Sequence, residues 1–298
     1  MLQEKSKIET LTLASGPDRC DIIPSIGGGI GRWTVKGQSM MRPVSAASIA
    51  DADAFGLASF PLVPYSNRIG NAEFEWGENP IAPARKFPPQ PPSSHGVGFD
   101  RPWSVQSRSM NSAVLTLSNR SGAGWPWPFE AKQRISLSAG SLNLEMSVVN
   151  LADRPVPLAF GHHPYFPRDG ATLMFRAKGV WLAGDDGLPS ACVKPFDRFD
   201  YSRGMSVERG DIDHCYTGWD GSAYIDWRDQ PFGLEIAASP ELSNAVVCIR
   251  DEVDAFCFEP VPHAKDAVNR RATQSDMPII DPGAAFTASI RLRAVPRE

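Results

Sequence analysis

Short segments in which apolar and polar residues alternate recur along the whole chain. In the clearest one, residues 142–149, Leu142, Leu144, Met146 and Val148 alternate with polar neighbours. A period of two is typical of a β-strand with one buried face. The same alternation predicts further strands at residues 19–24, 30–35, 113–117, 130–137, 223–227, 234–238, 245–249 and 286–295. A sustained helical period is almost absent, so the pattern predicts an all-β protein.

Proline and glycine separate these short segments. The chain contains 27 Pro and 25 Gly among its 298 residues, which favours a sandwich of many short strands over an α/β fold. The strand pattern continues past the proline-rich segment 87–92, which we therefore interpret as a stiff loop and not as a domain linker. We expect one domain, residues 1–298, built as a large antiparallel β-sandwich.

Composition narrows the class of partner. The net charge is −4 and the pI is about 5.8, which argues against nucleic acid or an acidic membrane as the main partner and favours a small neutral substrate. The five cysteines form no Cys-x-x-Cys pair, which predicts free thiols. Residues 1–7 lack the apolar run of a signal peptide, and no segment approaches the ~18 apolar residues of a membrane span. We therefore expect a soluble, cytoplasmic protein.

Two adjacent histidines, His162 and His163, stand at the end of an apolar stretch, just before a proline. If residues 156–163 form one strand, successive side chains point to opposite faces. His162 then shares a face with Phe160 and is expected to be packed in the core. His163 shares the other face with Gly161, where small neighbours leave room for a ligand. We therefore predict that His162 is buried and that His163 lines a pocket.

Residues 255–260 repeat this arrangement. Phe256 and Phe258 alternate with Cys257 and Glu259, and a proline follows. The alternation places both phenylalanines in the core and Glu259 on the opposite face. A carboxylate in so apolar a strand is costly to bury unless it is hydrogen-bonded or used in function. We expect both strands to end at their prolines, and we expect Glu259 and His163 to line one pocket.

Further polar residues suited to binding occur at Asn67-Arg68, His95 and Asp213. Each also has an ordinary interpretation: a solvated turn for Asn67-Arg68, a packed histidine for His95 and a turn cap for Asp213.

Other chemistries find less support in the sequence. A metal site is a weaker alternative, because no His-x-His or His-Glu-x-x-His spacing occurs and the possible ligands are scattered along the chain: His95, His163, Asp213 and Glu259. There is no Gly-x-Ser-x-Gly elbow, no phosphate loop and no dinucleotide-binding glycine motif. The sequence therefore indicates neither nucleophilic hydrolysis nor a nucleotide cofactor.

At these positions the chain resembles the aldose 1-epimerase (galactose mutarotase) family. The matching motifs occur in the family's order over roughly residues 60–265: Asn67-Arg68, His95-Gly96, His163-Pro164-Tyr165-Phe166, Asp213 and Glu259-Pro260. The run Gly218-Trp219-Asp220-Gly221 is closer to the bacterial mutarotase-like branch, and Pro167 stands where the well-studied galactose enzymes continue with Asn-Leu. The resemblance implies a β-supersandwich of the galactose mutarotase type and cofactor-free interconversion of the α and β anomers of a hexose.

The resemblance also implies a role for each matched residue. It makes Glu259 the general base and His163 the general acid, while sugar hydroxyls are held by Asn67, Arg68, His95 and Asp213. Ring opening needs one group that removes the C1 hydroxyl proton and one that protonates the ring oxygen, and a carboxylate and an imidazolium suit these roles. Because an ordinary histidine titrates near 6.5, we expect Asp213 to raise the pKa of His163 for work at neutral pH.

Two further functions remain compatible with these residues. One is a non-catalytic carbohydrate-binding protein on the same fold, and the other is a glycoside hydrolase that uses Asp213 and Glu259 as its carboxylate pair. A monomer and a homodimer are equally compatible with the sequence.

Overall fold

The computed structural model describes residues 8–77, 79–83, 93–122, 124–270 and 276–297. Residues 1–7 and the proline-rich segment 87–92, on which two of the expectations above rest, lie outside the described residues.

Strands dominate the described part of the chain. In chain order they are β1 (Leu11–Ser15), β2 (Asp18–Ile23), β3 (Gly29–Val35), β4 (Gln38–Ser39), β5 (Ser59–Leu62), β6 (Arg68–Ile69), β7 (Phe74–Trp76), β8 (Asn79–Ile81), β9 (Ser93–Ser94), β10 (Ser104–Arg108), β11 (Ser112–Asn119), β12 (Phe129–Ser138), β13 (Ser141–Asn150), β14 (Val156–Pro157), β15 (Gly161–Pro167), β16 (Ala171–Phe175), β17 (Gly179–Ala183), β18 (Pro189–Val193), β19 (Met205–Ser206), β20 (Ile212–Thr217), β21 (Ser222–Trp227), β22 (Phe232–Ala238), β23 (Asn244–Ile249), β24 (Ala255–Val261), β25 (Ile279–Ile280) and β26 (Ala285–Pro296). Their alternating burial follows the alternating sequence, as expected for strands with one face turned to a core.

Two large antiparallel sheets contain most of these strands. The larger has eleven strands in the order β1-β2-β3-β5-β15-β24-β23-β20-β17-β18, with β4 paired to β3. The other has nine strands in the order β10-β11-β12-β13-β26-β22-β21-β16-β19. Two-stranded ribbons join β14 with β25, β6 with β9 and β7 with β8. The chain is therefore all-β and forms a large antiparallel sandwich, as the sequence predicts.

Helices in the described part of the chain are short. The α-helix α1 spans Ala46–Ala50. Single 3₁₀ turns occupy Ala54–Gly56, Gly70–Ala72, Asp197–Phe199 and Ala267–Asn269. Within the described ranges, no helix has the length and apolar content needed to cross a membrane.

The main hydrophobic core contains buried side chains from both large sheets. Trp33 and Phe256 come from the eleven-stranded sheet, while Leu144 and Ile290 come from the nine-stranded sheet. A second apolar cluster, which includes Phe60, takes no residue from the nine-stranded sheet among the described residues. It covers the opposite face of the eleven-stranded sheet, and this is the face on which the candidate site lies.

The structure corrects two expectations about strand ends. Residues 156–163 do not form one strand, because β14 ends at Pro157 and β15 begins at Gly161. The amides of Leu158 and Ala159 donate instead to backbone carbonyls of loops. Nor do Pro164 and Pro260 end their strands. β15 changes partner after Pro164, from β5 to β24, and a proline is tolerated where it removes no ladder hydrogen bond.

Candidate functional site

A cavity of about 230 Å³ lies on the second face of the eleven-stranded sheet. It has room for roughly eight water molecules, which is the scale of one monosaccharide. All six residues singled out in the sequence line it: Asn67, Arg68, His95, His163, Asp213 and Glu259. A neighbouring cavity of about 710 Å³ shares Arg68, Asp213 and Arg250 with it but contains neither His163 nor Glu259. His163 and Glu259 therefore line the smaller cavity and not the larger one.

Strand register builds the floor of this cavity. Four neighbouring strands, β15, β24, β23 and β20, place directly opposite one another the residues Tyr165, Cys257, Cys248 and Asp213. His163 and Glu259 lie two positions along from Tyr165 and Cys257, and therefore on the same face. The alternation prediction is confirmed here, because Phe256 and Phe258 lie in the main core while Cys257 belongs to the second cluster.

The ribbon of β6 and β9 brings the remaining residues to the rim. Arg68 pairs with Ser94, and the backbone N–H of His95 donates to the carbonyl of Asn67 at 3.0 Å. Asn67 and His95 both have a positive φ, of 56° and 62°. Such backbone conformations are uncommon for residues other than glycine and tend to occur where function requires a set orientation.

His163 and Glu259 form a direct pair. Nε2 of His163 lies 3.2 Å from Oε1 of Glu259, and the two side chains are only 8% and 1% exposed. The imidazole stacks on Phe60 with ring centroids 4.6 Å apart. Nδ1 of His163 and Oε2 of Glu259 are buried without a hydrogen-bond partner among the described residues. Buried polar atoms are normally paired, so these two unpartnered atoms are candidates for hydrogen bonds to a ligand.

Burial favours the uncharged form of both His163 and Glu259. It lowers the pKa of His163 well below 6.5, and the neighbouring ring of His95 adds to this effect. It raises the pKa of Glu259 well above 4.5, and Cys248 and Asp213 add to it. In the unliganded site both shifts therefore favour the neutral carboxylic acid and the neutral imidazole over the ion pair.

His95 is a hydrogen-bond donor toward the cavity rather than a charged group. Its Nδ1 accepts the backbone N–H of Asn67 at 3.3 Å, so the proton of the neutral ring sits on Nε2. Burial, helped by the positive charge of Arg68, lowers the pKa of His95 to about 3.

Asp213 stands at the centre of a cluster of cations. Its Oδ2 accepts from Arg68 at 2.7 Å and from Arg250 at 3.3 Å, and its Oδ1 accepts from the buried Lys265. Burial alone would raise the pKa of Asp213, but Lys265 and Arg68 bring it well below its usual range. The expectation that Asp213 sets the pKa of His163 above its usual value is wrong. Asp213 does act to raise this pKa, but its effect is the smallest of the causes, and burial of the imidazole outweighs it.

His162 is confirmed as a core residue. It is fully buried, its Nδ1 lies 3.2 Å from the hydroxyl of Ser59, and its Nε2 lies 3.1 Å from Oε1 of Gln133. Neither contact reaches the cavity, so the two adjacent histidines do separate to opposite faces of β15.

The model of one protein family matches almost the whole chain, residues 9–293, and its description is "Aldose 1-epimerase". The chain belongs to the aldose 1-epimerase family. Among curated proteins, the uncharacterized protein YphB of Escherichia coli (strain K12) is 27% identical over 297 residues, covering 95% of this chain and 97% of that protein.

Solved structures of similar chains show the same fold. A putative aldose 1-epimerase from Escherichia coli K12 superposes with a TM-score of 0.89 at 24% identity, covering 97% of this chain and 99% of that one. A galactose mutarotase-like protein from Clostridium acetobutylicum gives a TM-score of 0.85 at 17% identity, with coverages of 98% and 96%. The fold is therefore that of the galactose mutarotase-like proteins.

Sequence reasoning missed three residues of this epimerase-family site: Cys248, Arg250 and Lys265. Cys248 reaches the cavity through its register with Cys257. Lys265 is only 2% exposed, but it lies after the end of β24 at Val261, so strand alternation could not predict its burial. A buried lysine needs a partner, and that partner, Asp213, is distant in the sequence.

Proposed function

We propose that the protein is an aldose 1-epimerase that interconverts the α and β anomers of a free hexose. The observation that carries this proposal is the contact of 3.2 Å between His163 and Glu259 in a cavity of monosaccharide size. Membership of the aldose 1-epimerase family supports the same reaction class.

In the proposed mechanism, Glu259 is the general base and His163 the general acid. Glu259 removes the proton of the C1 hydroxyl while His163 protonates the ring oxygen, and the open-chain aldehyde rotates before the ring closes on its other face. The raised pKa of Glu259 makes its carboxylate a stronger base, and the lowered pKa of His163 makes its imidazolium a stronger acid. Both shifts favour ring opening once the carboxylate–imidazolium form of the pair is present.

The remaining residues hold the sugar. Nε2–H of His95 and the Arg68 guanidinium are donors beside the pair, and both suit the negative charge that develops on oxygen during ring opening. Asn67 adds an amide, although its Oδ1 already accepts the backbone N–H of Arg68 at 3.0 Å. Asp213 fixes Arg68, so its contribution to sugar binding is partly indirect.

The hydrolase alternative is less well supported. Both oxygens of Asp213 already accept hydrogen bonds from cationic side chains. A carboxylate engaged in this way is poorly placed to attack a sugar or to activate water, which a pair of catalytic carboxylates requires.

The test is to follow the anomeric NMR signals of freshly dissolved α-glucose and α-galactose with and without the protein. We expect the protein to accelerate equilibration of at least one aldose without added metal or nucleotide. Glu259→Gln and His163→Asn should each lower kcat by about 10²-fold or more, since each removes one proton-transfer group.

The matched control is Glu145→Gln, which makes the same chemical change at an exposed position of β13 in the other sheet. Its rate should equal that of the unaltered protein. Binding of an aldose without any acceleration would favour a carbohydrate-binding protein instead, and release of reducing sugar from a glycoside would favour a hydrolase.

A further inference from the structure

The acid–base pair has a third neighbour that the epimerase reaction does not use. His163, Cys257 and Glu259 are all buried, and each offers one ligand atom within 4.8 Å of the other two. A nitrogen, a sulfur and an oxygen thus converge on one point of the cavity. Among the described residues this is the group with metal-ligand spacing, and it differs from the set of His95, His163, Asp213 and Glu259 considered from the sequence.

The geometry of this group is close to that of a tetrahedral zinc site. With Zn–N and Zn–O bonds of about 2.0–2.2 Å and Zn–S bonds of about 2.3 Å, tetrahedral ligand atoms lie about 3.3–3.6 Å apart. The imidazole nitrogen and carboxylate oxygen are already 3.2 Å apart. Rotation of the Cys257 side chain would have to bring its sulfur, which lies within 4.8 Å of the other two ligand atoms, to this tetrahedral spacing.

Two further features point to a ligand at this place. Oε2 of Glu259 has no hydrogen-bond partner among the described residues although its side chain is only 1% exposed. Cys248 lies directly opposite Cys257 and also lines the cavity, so it offers a second sulfur. One carboxylate and one thiolate would neutralise a divalent cation, which makes burial of the ion less costly.

We propose that His163, Cys257 and Glu259 form an inhibitory binding site for a thiophilic divalent cation such as Zn²⁺. The ion would occupy both proton-transfer groups, so sugar turnover and metal binding exclude each other. The inhibitory consequence rests on the proposed epimerase function, whereas metal binding itself does not. The ligand set selects zinc over magnesium, which prefers six oxygen ligands and binds thiolate poorly.

Binding is tested without reference to activity. Purified protein, freed of metal with a chelator, is titrated with Zn²⁺ by calorimetry and with Co²⁺ by absorption spectroscopy. We expect one ion per chain at micromolar concentrations and a charge-transfer band from the Co²⁺–thiolate bond. Cys257→Ser should abolish the band and weaken Zn²⁺ binding at least about 100-fold, a loss larger than that from altering an outer-shell partner.

Matched variants separate this site from adventitious binding. Cys192→Ser removes an exposed thiol outside the cavity and should leave affinity and spectrum unchanged. Glu259→Gln removes a second ligand and should weaken binding even if Cys257→Ser does not fold. The proposal would be overturned if the unaltered protein did not bind one Zn²⁺ ion per chain. It would also be overturned if Cys257→Ser and Glu259→Gln both bound Zn²⁺ as tightly as the unaltered protein.

Inhibition is measured separately. Zn²⁺ at micromolar concentrations should stop anomer equilibration, excess Mg²⁺ should not, and a chelator should restore the rate. A protein that binds the ion but never accelerates anomer equilibration would contradict the proposed function while leaving the metal site intact. A zinc-loaded protein that turns over sugar at the full rate would overturn the inhibitory role.

Discussion

The ion cluster around Asp213 makes a quantitative prediction about stability. The Lys265 side chain is 2% exposed, and Asp213 is the carboxylate with which it pairs among the described residues. Asp213→Asn leaves this ammonium buried without its counter-charge. Removing one partner of a buried ion pair typically costs about 3–5 kcal/mol. The retained hydrogen bond from Lys265 to the backbone carbonyl of residue 213, at 2.7 Å, moderates the loss, so we expect about 3 kcal/mol.

A second substitution tests whether the unpaired charge is the cause. Lys265→Met removes the buried ammonium and keeps a side chain of similar length. Alone it should cost about 1–2 kcal/mol, since Asp213 keeps its bonds to Arg68 and Arg250. Combined with Asp213→Asn it should restore part of the loss, because neither charge is then left alone. The coupling energy between the two sites should reach about 2 kcal/mol.

The assay is equilibrium unfolding in urea at neutral pH, with the free energy of unfolding extrapolated to water. Asp211→Asn is the control, because this carboxylate also contacts Arg250, at 2.8 Å, but is 74% exposed. It should cost less than about 1 kcal/mol. A loss below about 1 kcal/mol for Asp213→Asn, or strictly additive effects with Lys265→Met, would refute the view that the buried ammonium depends on this carboxylate.

Two further predictions concern pH. Burial lowers the pKa of His162 to about 3, while the unfolded chain titrates near 6.5, so the unfolded state takes up this proton first as pH falls. The free energy of unfolding should therefore decrease below pH 6.5, and His162 should account for about 3 kcal/mol of the decrease at pH 4.5. Urea unfolding at pH 6.5 and pH 4.5 should show a smaller decrease for His162→Gln than for the unaltered protein. An equal decrease in the two proteins would contradict the lowered pKa of His162. The profile of kcat/KM should show a broad plateau between the lowered pKa of His163 and the raised pKa of Glu259. Asp213→Asn should shift the alkaline limb of the kcat/KM profile to lower pH, because Asp213 helps to raise the pKa of Glu259. A narrow bell-shaped profile of the unaltered protein centred near ~5.4, midway between ordinary carboxyl and imidazole pKa values, would contradict the two shifted pKa values.

The alternation of side chains was enough to predict that His163 and Glu259 face the cavity, because it is a local property of a strand. His162 and His163 separate correctly even though the strand that carries them begins only at Gly161. Proline was misleading for a nonlocal reason. Whether Pro164 ends a strand depends on which partner strand lies beside it, and the partner changes at that residue.

The electrostatics of the site were beyond the reach of the sequence for the same reason. Expecting Asp213 to raise the pKa of His163 was reasonable for two residues in one pocket. Asp213 does act in that direction, but the pKa of His163 is lowered overall because burial dominates at the imidazole. The carboxylate is itself surrounded by Lys265, Arg68 and Arg250. Each of these neighbours comes from a different part of the chain, so only the assembled fold reveals which effect is larger.

A His163–Glu259 pair that shares one proton suits the proposed reaction better than two groups that each exchange protons with water. Ring opening moves one proton onto Glu259 and one away from His163, and ring closure on the other face reverses both transfers. The pair then returns to its starting state without exchanging a proton with water, which suits two side chains that are almost fully buried. The unliganded site favours the form with the proton on Glu259, which is the form that exists after ring opening. Sugar hydroxyls that donate to the carboxylate must stabilise the other form, and Oε2 of Glu259, unpartnered among the described residues, is the atom that can accept them.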